Sequence, residues 1–297
     1  MDMRDDDEIL CVRTQARGRA SKRVWRGIGL VFLVLSLALV GCSGITVTVN
    51  NVPSPTPTNV APGVARGSTQ VLKETHMFQP TDHPTLVIIN PVGYVHIKAG
   101  NTASVMVTKQ SSTNVHDIKV NYSQHGNTMN VTVNIPETNI IQDGSVRIER
   151  ADIDMTMPSQ SDIQVTDTVG EIGVNGIQGA LHLRDSTGRI YANQVDLVGD
   201  SELTTDVGDV SFKGTVGLRG HYSFRSKTGN VEVALPQNAI FRVNATTQTG
   251  QISSEFAAVN VKQDSPVGGS ARGDVGASPQ AVVTLGTFVG EIHLEKQ

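Results

Sequence analysis

The chain has 297 residues, of which 38% are hydrophobic and only 4% aromatic, and its formal net charge is −4. Seven of the 24 Lys and Arg and five of the 28 Asp and Glu lie in residues 1–42, which leaves 17 basic against 23 acidic residues, a net charge of −6, in the remainder. A mildly acidic surface lacks the basic stripe that phosphate groups require. We therefore expect no nucleic acid as a partner and no electrostatic docking on anionic lipid.

Residues 1–42 have the layout of an export signal. Six Lys or Arg between residues 13 and 26 precede a run of 13 weakly polar to apolar residues from Ile28 to Val40, a length typical of a signal-peptide core and short for a membrane span. The run ends in Leu39-Val40-Gly41-Cys42, which resembles the lipobox of bacterial lipoproteins. The resemblance implies a cleaved signal peptide over residues 1–41 and attachment of lipid, palmitate included, at Cys42. The alternative is an uncut signal-anchor helix with an incidental Cys.

The segment after Cys42 is rich in proline, with Pro-Ser-Pro-Thr-Pro-Thr at residues 53–58. Because proline favours an extended chain, residues 42–70 are predicted to form a tether. Cys11 and Cys42 are the only cysteines of the sequence, so the exported domain would contain no disulfide. We expect a protein held by its lipid on the extracytoplasmic face of the cell membrane.

Residues 71–158 contain several short alternating or apolar runs at irregular spacing, among them Leu86-Val87-Ile88-Ile89 and Ile153-Asp154-Met155-Thr156-Met157. Asn90-Pro91 and His125-Gly126-Asn127 have the composition of turns. We interpret this region as the starting end of the regular repeat that follows.

A four-residue motif then recurs, consisting of Val or Thr, Gly, a variable polar residue, and Val or Ile. Its glycines are Gly170, Gly188, Gly208, Gly229 and Gly250, which lie 18, 20, 21 and 21 residues apart, and Gly93 and Gly290 belong to outlying copies. A fixed period near 20 is typical of a solenoid in which each repeat adds one layer. The sequence predicts an all-β protein whose residues 71–297 form one β-solenoid with layers of about 20 residues.

The columns of the repeat predict which side chains face the core. The residue after each glycine is polar with either charge sign, for example Glu171 and Arg189, and must face water. The next residue is always β-branched, and alternation with period two puts it on the inward face of a strand. We therefore predict one buried line of side chains in chain order: Ile172, Ile190, Val210, Val231 and Ile252.

The combination resembles the bacterial putative-adhesin family of β-strand-repeat domains. The residues that carry the resemblance are Asn90-Pro91-Val92-Gly93-Tyr94-Val95, Met157-Pro158 before Val169-Gly170-Glu171-Ile172, Val231-Glu232-Val233-Ala234-Leu235-Pro236 before Phe241-Arg242-Val243, and the Gly-rich loop before Gly290-Glu291-Ile292. The resemblance covers residues 71–297 and implies a β-solenoid displayed at the cell envelope. It implies no catalytic residues.

Parallel β-helices also include polysaccharide lyases and hydrolases. Such enzymes need clustered carboxylates as catalytic or calcium-binding groups. Asp152 and Asp154 share one strand face, and Asp206 and Asp209 flank a turn. Both pairs are interpreted as solvated acids. The eight His show neither HxH nor HExxH spacing, and no GGxGxD calcium repeat is present. We expect no catalytic residue, metal or cofactor.

Carbohydrate sites usually present exposed aromatic rings. The one Trp, Trp25, lies in the predicted signal peptide, and the four tyrosines do not recur in one column of the repeat. They are Tyr94, Tyr122, Tyr191 and Tyr222.

A Gly/Ser/Pro-rich insertion between residues 263 and 280 is predicted to be a mobile loop. It contains Arg272-Gly273-Asp274, a tripeptide that some adhesive proteins present to receptors, although chance is the simpler explanation of its occurrence.

The leading hypothesis is a non-catalytic lipoprotein of the cell envelope whose solenoid acts as an adhesin, interaction or scaffold module toward an unidentified protein or cell-surface polymer. Two alternatives remain open: an accessory or sensor protein of envelope-stress signalling, and a polysaccharide-active enzyme. An enzyme would show a groove with three or more converging polar side chains, whereas a scaffold would show a plain polar surface.

Overall fold

The computed structural model describes residues 68–136, 149–263 and 267–297, together with the backbone of residues 46–49, 141–142 and 145–146. Within these residues the regular structure is β-strand apart from one turn of 3-10 helix at Val115–Asp117, so the all-β prediction is confirmed. The strands are β1 (Thr46–Val49), β2 (Gln70–Phe78), β3 (Thr85–Ala99), β4 (Ala103–Ser111), β5 (Lys119–His125), β6 (Thr128–Asn134), β7 (Ile141–Gln142), β8 (Ser145–Val146), β9 (Glu149–Met157), β10 (Asp162–Asn175), β11 (Gln178–Gly179), β12 (Leu181–Leu197), β13 (Ser201–Val207), β14 (Val210–Val216), β15 (Arg219–Thr228), β16 (Val231–Leu235), β17 (Phe241–Thr249), β18 (Ile252–Ser254), β19 (Val259–Gln263), β20 (Gly269–Val275), β21 (Gln280–Val289) and β22 (Ile292–Lys296).

Twenty of these strands belong to one open hydrogen-bonded sheet, and β7 and β8 form a separate pair. The predicted signal peptide and Cys42 lie outside the described residues. Part of the predicted tether, Thr46–Val49, forms β1 and pairs antiparallel with β2. No helix within the described part of the chain is long and apolar enough to cross a membrane.

The predicted inward column is present and buried. Parallel pairing puts its members on successive strands, each one strand spacing of about 4.8 Å from the next, and all of them are buried. This core column, in spatial order, is Ile153, Val95, Ile172, Ile190, Val210, Val231, Ile292 and Ile252. The alternation of inward apolar and outward polar residues therefore follows the prediction.

The parallel strands that carry copies of the motif, here called layers, are stacked in an order that differs from their order along the chain. Ile292 lies between Val231 and Ile252, because β22 pairs with β16 on one side and with β18 on the other. The prediction that Val231 and Ile252 are neighbours is wrong. At the other end, β3 pairs with β10 although the two strands are far apart in the sequence. The intervening segments pack elsewhere, so distant copies of the motif become adjacent.

Antiparallel strands cover both ends of this parallel stack. β4 lies antiparallel between β2 and β9, and β20 lies antiparallel between β17 and β19. Seven residues of the segment predicted to be a mobile loop, Gly269–Val275, therefore form a paired strand, and for this part the prediction is wrong. A side chain at Gly273 would place its Cβ 2.4 Å from the carbonyl oxygen of Ala258, so strand pairing at this point is close.

The repeated glycines permit close approach of backbones between layers. Gly229 has a φ of +145°, a conformation that L residues rarely adopt. A Cβ at Gly229 would stand 2.0 Å from the carbonyl oxygen of Gly208 in the neighbouring layer. Both constraints explain why the second position of the motif is invariably glycine.

Candidate functional site

The strands β3, β4, β9, β10 and β12 line a groove of about 440 Å³ on the outward face of the sheet. We call it the outer groove. It is lined by His96, Ile97, Lys98, Met106, Asp154, Met155, Gly173, Asn175 and Tyr191. Its volume lies within the range of about 300–1,000 Å³ that is usual for small-molecule sites. Three polar side chains, Lys98, Asp154 and Asn175, line the groove together, so this face has the feature expected of an enzyme and not the plain polar surface expected of a scaffold.

Aromatic rings follow one another along one side of the outer groove. The ring of Tyr94 stacks on that of His96 with centroids 4.4 Å apart, and the ring of Tyr191 lies 6.0 Å from His96 at an angle of 59°. The guanidinium of Arg150 covers the Tyr94 ring at 5.9 Å from its centroid. Arg150 and His96 therefore pack on the Tyr94 ring, which supports His96, while Tyr191 lines the groove itself.

Gly173 determines where the Tyr191 ring lies. The two residues are register partners on adjacent strands, and a Cβ at Gly173 would stand 2.4 Å from both Cζ and the hydroxyl oxygen of Tyr191. Because glycine has no side chain, the ring can lie directly over the neighbouring backbone. Partial burial and the nearby charge of Glu171 raise the pKa of the Tyr191 hydroxyl.

Hydrogen bonds hold the polar groups around these rings. The hydroxyl of Tyr94 donates to Asp154 Oδ2 at 3.3 Å, and His96 Nε2 lies 3.1 Å from Glu171 Oε1. Burial, followed by the negative charges of Asp154 and Asp152, raises the pKa of the Tyr94 hydroxyl. The Tyr94 and His96 rings are therefore held in place by hydrogen bonds instead of moving freely on the surface.

Asp152 is a buried acid and not the solvated one that the sequence predicts, since only 3% of it is exposed. The guanidinium of Arg150 forms an ion pair with it, with Nε 3.0 Å from Oδ1. The backbone N–H of Tyr94 donates to the same oxygen at 3.2 Å, and Gln110 Nε2 lies 3.4 Å from Oδ2. Asp152 thus orders the base of the aromatic stack, and its neighbour Asp154 is the acid that lines the groove.

The second predicted acidic pair does not form a common site. Asp206 forms an exposed ion pair with Lys227 at 2.8 Å, which lowers the pKa of its carboxyl. Asp209 Oδ1 accepts a hydrogen bond of 2.8 Å from the backbone N–H of Asn230. Within the described residues, no group of three or more His, Cys, Asp or Glu side chains is arranged to hold a metal ion.

The tripeptide at residues 272–274 lies within β20 and is paired on both sides. Asp274 forms a two-point ion pair with Arg242, with distances of 2.7 and 3.0 Å. Its carboxylate is therefore engaged by a side chain of the same domain and is not presented by a loop.

The two other tyrosines lie away from the outer groove. Tyr122 stacks on His76 with centroids 4.6 Å apart. Tyr222 is buried in the core and donates a hydrogen bond of 2.8 Å to the carbonyl of Arg219.

A hydrogen-bonded chain of Ser253, His293 and Glu291 lies on the outward face of β18 and β22. Ser253 Oγ is 2.8 Å from His293 Nδ1, and His293 Nε2 is 3.2 Å from Glu291 Oε2. A serine nucleophile also needs preorganised N–H donors for the oxyanion. The backbone N–H groups of Ile292 and Glu255 beside it already donate to carbonyls within the sheet. We interpret the three side chains as a cross-strand polar contact.

A buried polar column accompanies the repeated glycines, three residues before each of them. Its members are register partners on successive strands, in the spatial order Asn90, Asp167, Asp185, Thr205, Ser226, Thr287 and Thr247. All seven are buried. The hydroxyls donate to glycine carbonyls of the adjacent layer; for example, Thr205 Oγ1 lies 3.0 Å from the oxygen of Gly188. This column links one layer to the next.

Two members of the buried polar column are acids. Oδ2 of Asp167 and Oδ2 of Asp185 are buried without a hydrogen-bond partner. Burial and the charge of Asp185 raise the pKa of Asp167 to about 8, and burial raises the pKa of Asp185. Oδ2 of Asp185 and the carbonyl oxygen of Gly170 lie 2.4 and 1.8 Å from the point where a Cβ of Gly188 would stand. A protonated carboxyl could donate to that carbonyl as the threonine hydroxyl does.

The outer groove and the buried polar column were both missed from the sequence. The column has a signal, because a small polar residue stands three places before every repeated glycine. The groove has no such signal: Tyr94 and His96 lie in a layer that only folding brings beside those of Glu171 and Tyr191.

No model of a known protein family matches the chain, and no curated protein matches it. Solved structures similar to it include a "putative cell adhesion protein" from Clostridium sporogenes, with 13% identity, coverage of 76% of this chain and 99% of that one, and a TM-score of 0.42. A "putative adhesin" from Bacteroides fragilis has 13% identity, coverage of 77% and 99%, and a TM-score of 0.41. A "putative lipid binding protein" from Parabacteroides distasonis has 9% identity, coverage of 75% and 97%, and a TM-score of 0.28.

Proposed function

We propose that this chain is a lipid-anchored protein of the extracytoplasmic face of the cell membrane, in which a β-solenoid serves as a non-catalytic, adhesin-like interaction module. The observation that carries the proposal is the outer groove, where aromatic and polar side chains converge on the outward face of a rigid parallel sheet. Binding residues placed on paired strands are held more accurately than residues on loops.

The acids beside the groove favour binding over catalysis. Asp154 accepts a hydrogen bond from Tyr94, and Glu171 is bonded to His96, so each carboxylate has a local partner. Glycoside hydrolysis needs two carboxyl groups that are free to act on the two sides of the bond that is broken. The two hydrogen-bonded acids serve better as fixed acceptors for a ligand.

Anchoring rests on the apolar run that ends at Cys42. The test is to express the chain and its Cys42→Ser variant in a bacterium that processes lipoproteins, supply labelled palmitate, and separate the membranes. We expect label and membrane association in the wild type and neither in the processed variant. A processed Cys42→Ser chain that still sediments with membranes would contradict the lipid anchor.

The interaction role is tested with purified full-length chain and isolated cell-envelope material. We expect the wild type to be retained and Tyr191→Ala to be retained at least about tenfold less, because the variant loses the ring that lines the groove. Phe288→Ala is the matched control, since Phe288 is an exposed ring, 56% accessible, that is not among the residues lining the outer groove. Equal retention of all three proteins would exclude the outer groove as the interaction site.

A further inference from the structure

We propose that the outer groove binds a neutral oligosaccharide, N-acetylated sugars included. The inference rests on the proposed interaction role of the same groove and adds the chemical class of the ligand.

The aromatic surface suits the flat apolar face of a sugar ring. The tip of the Tyr191 ring lies over Gly173, and both residues line the groove, so the ring is presented beside bare backbone. The axial C–H groups of a pyranose pack on such a face, and their slight positive charge matches the negative face of the π-system. His96, stacked on Tyr94, continues the aromatic surface beside it.

The polar groups suit the hydroxyls at the edge of a sugar ring. Asp154 contributes acceptor oxygens, Lys98 contributes donors, and Asn175 contributes both. A carboxylate can accept hydrogen bonds from two adjacent hydroxyls at once. An amide can accept from one hydroxyl and donate to the next, because a hydroxyl is both donor and acceptor. A purely apolar ligand would leave these groups desolvated without partners, which disfavours a lipid tail in the same place.

The charge around the groove gives no attraction to acidic sugars. Asp154 lines it and Glu171 lies beside it, whereas Lys98 is the one Lys or Arg among the lining residues. Arg150 packs on Tyr94 and is held by buried Asp152, and Arg189, the register partner of Glu171, places a second positive charge near Tyr191. The charges around the groove therefore balance, and no excess positive charge offsets the desolvation of a uronic acid's carboxylate, a cost that a neutral or N-acetylated sugar does not have. Met106, which is 37% exposed, offers an apolar contact for an acetyl methyl group.

The experiment uses the full-length chain in titration calorimetry with three probes: an oligomer of N-acetylglucosamine, a neutral mannose oligomer and an oligomer of galacturonic acid. We expect binding of at least one neutral probe and weaker binding of the acidic one. Tyr191→Ala and His96→Ala should each weaken it by about tenfold or more, Tyr191→Phe should weaken it less than Tyr191→Ala does, and Phe288→Ala should leave it unchanged. Circular dichroism and melting verify that every variant is folded.

The other outcomes would overturn either the sugar assignment or the non-catalytic role. If the chain binds envelope material through Tyr191 but no neutral probe, the sugar assignment is wrong and the interaction role stands. Preference for the acidic probe, or equal binding by Tyr191→Ala and the wild type, also overturns the sugar assignment. Hydrolysis of a bound neutral probe would support the ligand class and overturn the non-catalytic part of the proposed function.

Discussion

Asp185 and Thr205 are register partners on adjacent parallel strands, and both side chains are buried. Thr205 donates a hydrogen bond to the carbonyl of Gly188, whereas one carboxyl oxygen of Asp185 has no partner. Equivalent positions on the adjacent strands β12 and β13 thus carry an acid and a hydroxyl donor. This difference makes the stability of the fold depend on pH.

The first prediction concerns Asp167, whose carboxyl has a pKa of about 8 in the folded protein and an ordinary value of 3.8. The folded state retains its proton between these values, whereas the unfolded state has lost it. The contribution of this carboxyl to the free energy of unfolding is therefore fully present below pH 4 and is lost as pH rises through 8. We expect the free energy of unfolding to fall by at most about 1.4 kcal/mol per pH unit in this window. Urea denaturation at pH 5, 6, 7 and 8 measures it.

Asp167→Asn should reduce this slope to the part that Asp185 contributes, because an amide cannot titrate and Asn90 already fills the neighbouring position of the column. Asn90 Nδ2 donates to the carbonyl of Ala151 at 3.2 Å, which shows that an amide can serve there. Asp206→Asn is the control. The pKa of exposed Asp206 is lowered, so its contribution is lost only as pH falls and the slope above pH 5 should persist. An unchanged slope in Asp167→Asn would contradict the prediction.

The second prediction concerns the carboxyl and hydroxyl groups of the buried polar column. Asp185→Thr should raise the free energy of unfolding at pH 8, because its hydroxyl can donate to the carbonyl of Gly170 without binding a proton. The gain should shrink toward pH 4, where the acid is protonated. Conversely, Thr205→Val keeps the shape and removes the donor, and should lower stability by about 1–3 kcal/mol at every pH. Lower stability of Asp185→Thr at pH 8 would argue against the column as a chain of donors.

The third prediction compares one substitution at two positions of a single layer. Val210 is fully buried between Ile190 and Val231, whereas Val207 is 50% exposed. Val210→Asp should lower stability by about 3 kcal/mol or more, since it buries a charge among aliphatic neighbours. Val207→Asp should change it by less than about 0.5 kcal/mol. Thermal melting of both variants measures the difference, and equal melting temperatures would refute the inward assignment.

The fourth prediction concerns the close approach of layers at the repeated glycines. Gly229→Ala should destabilise the fold by about 2 kcal/mol or more, because its φ of +145° is strained for alanine and its Cβ would meet the carbonyl of Gly208. Gly286→Ala is the control. A Cβ there would meet Arg225 Cγ at 3.6 Å, an ordinary contact. Chemical denaturation should separate the two variants, and similar losses would mean that the glycine is not required for layer spacing.

The sequence by itself determined the class of fold and the direction in which most repeat side chains point. The alternation around Ile172 and Ile190 predicted buried and exposed columns correctly, because a strand's side chains alternate whatever its partner is. The glycine period predicted which positions stack, since parallel register aligns equivalent residues. The same alternation misplaced Asp152, because the sequence does not show that the face carrying it is covered by Arg150 and Gln110.

Only the tertiary structure decided which layers are neighbours. Separation along the sequence does not determine which strands pair. β19 and β20 pair with each other at the end of the parallel stack, and β22 lies between β16 and β18. The outer groove depends on the same kind of pairing, since His96 reaches Tyr191 only because β3 lies beside β10. The repeat predicts that its copies stack, but it does not predict their order, because every copy has nearly the same inward-facing residues. The order is determined by pairing between strands far apart in the sequence, and this pairing also brings the aromatic rings together.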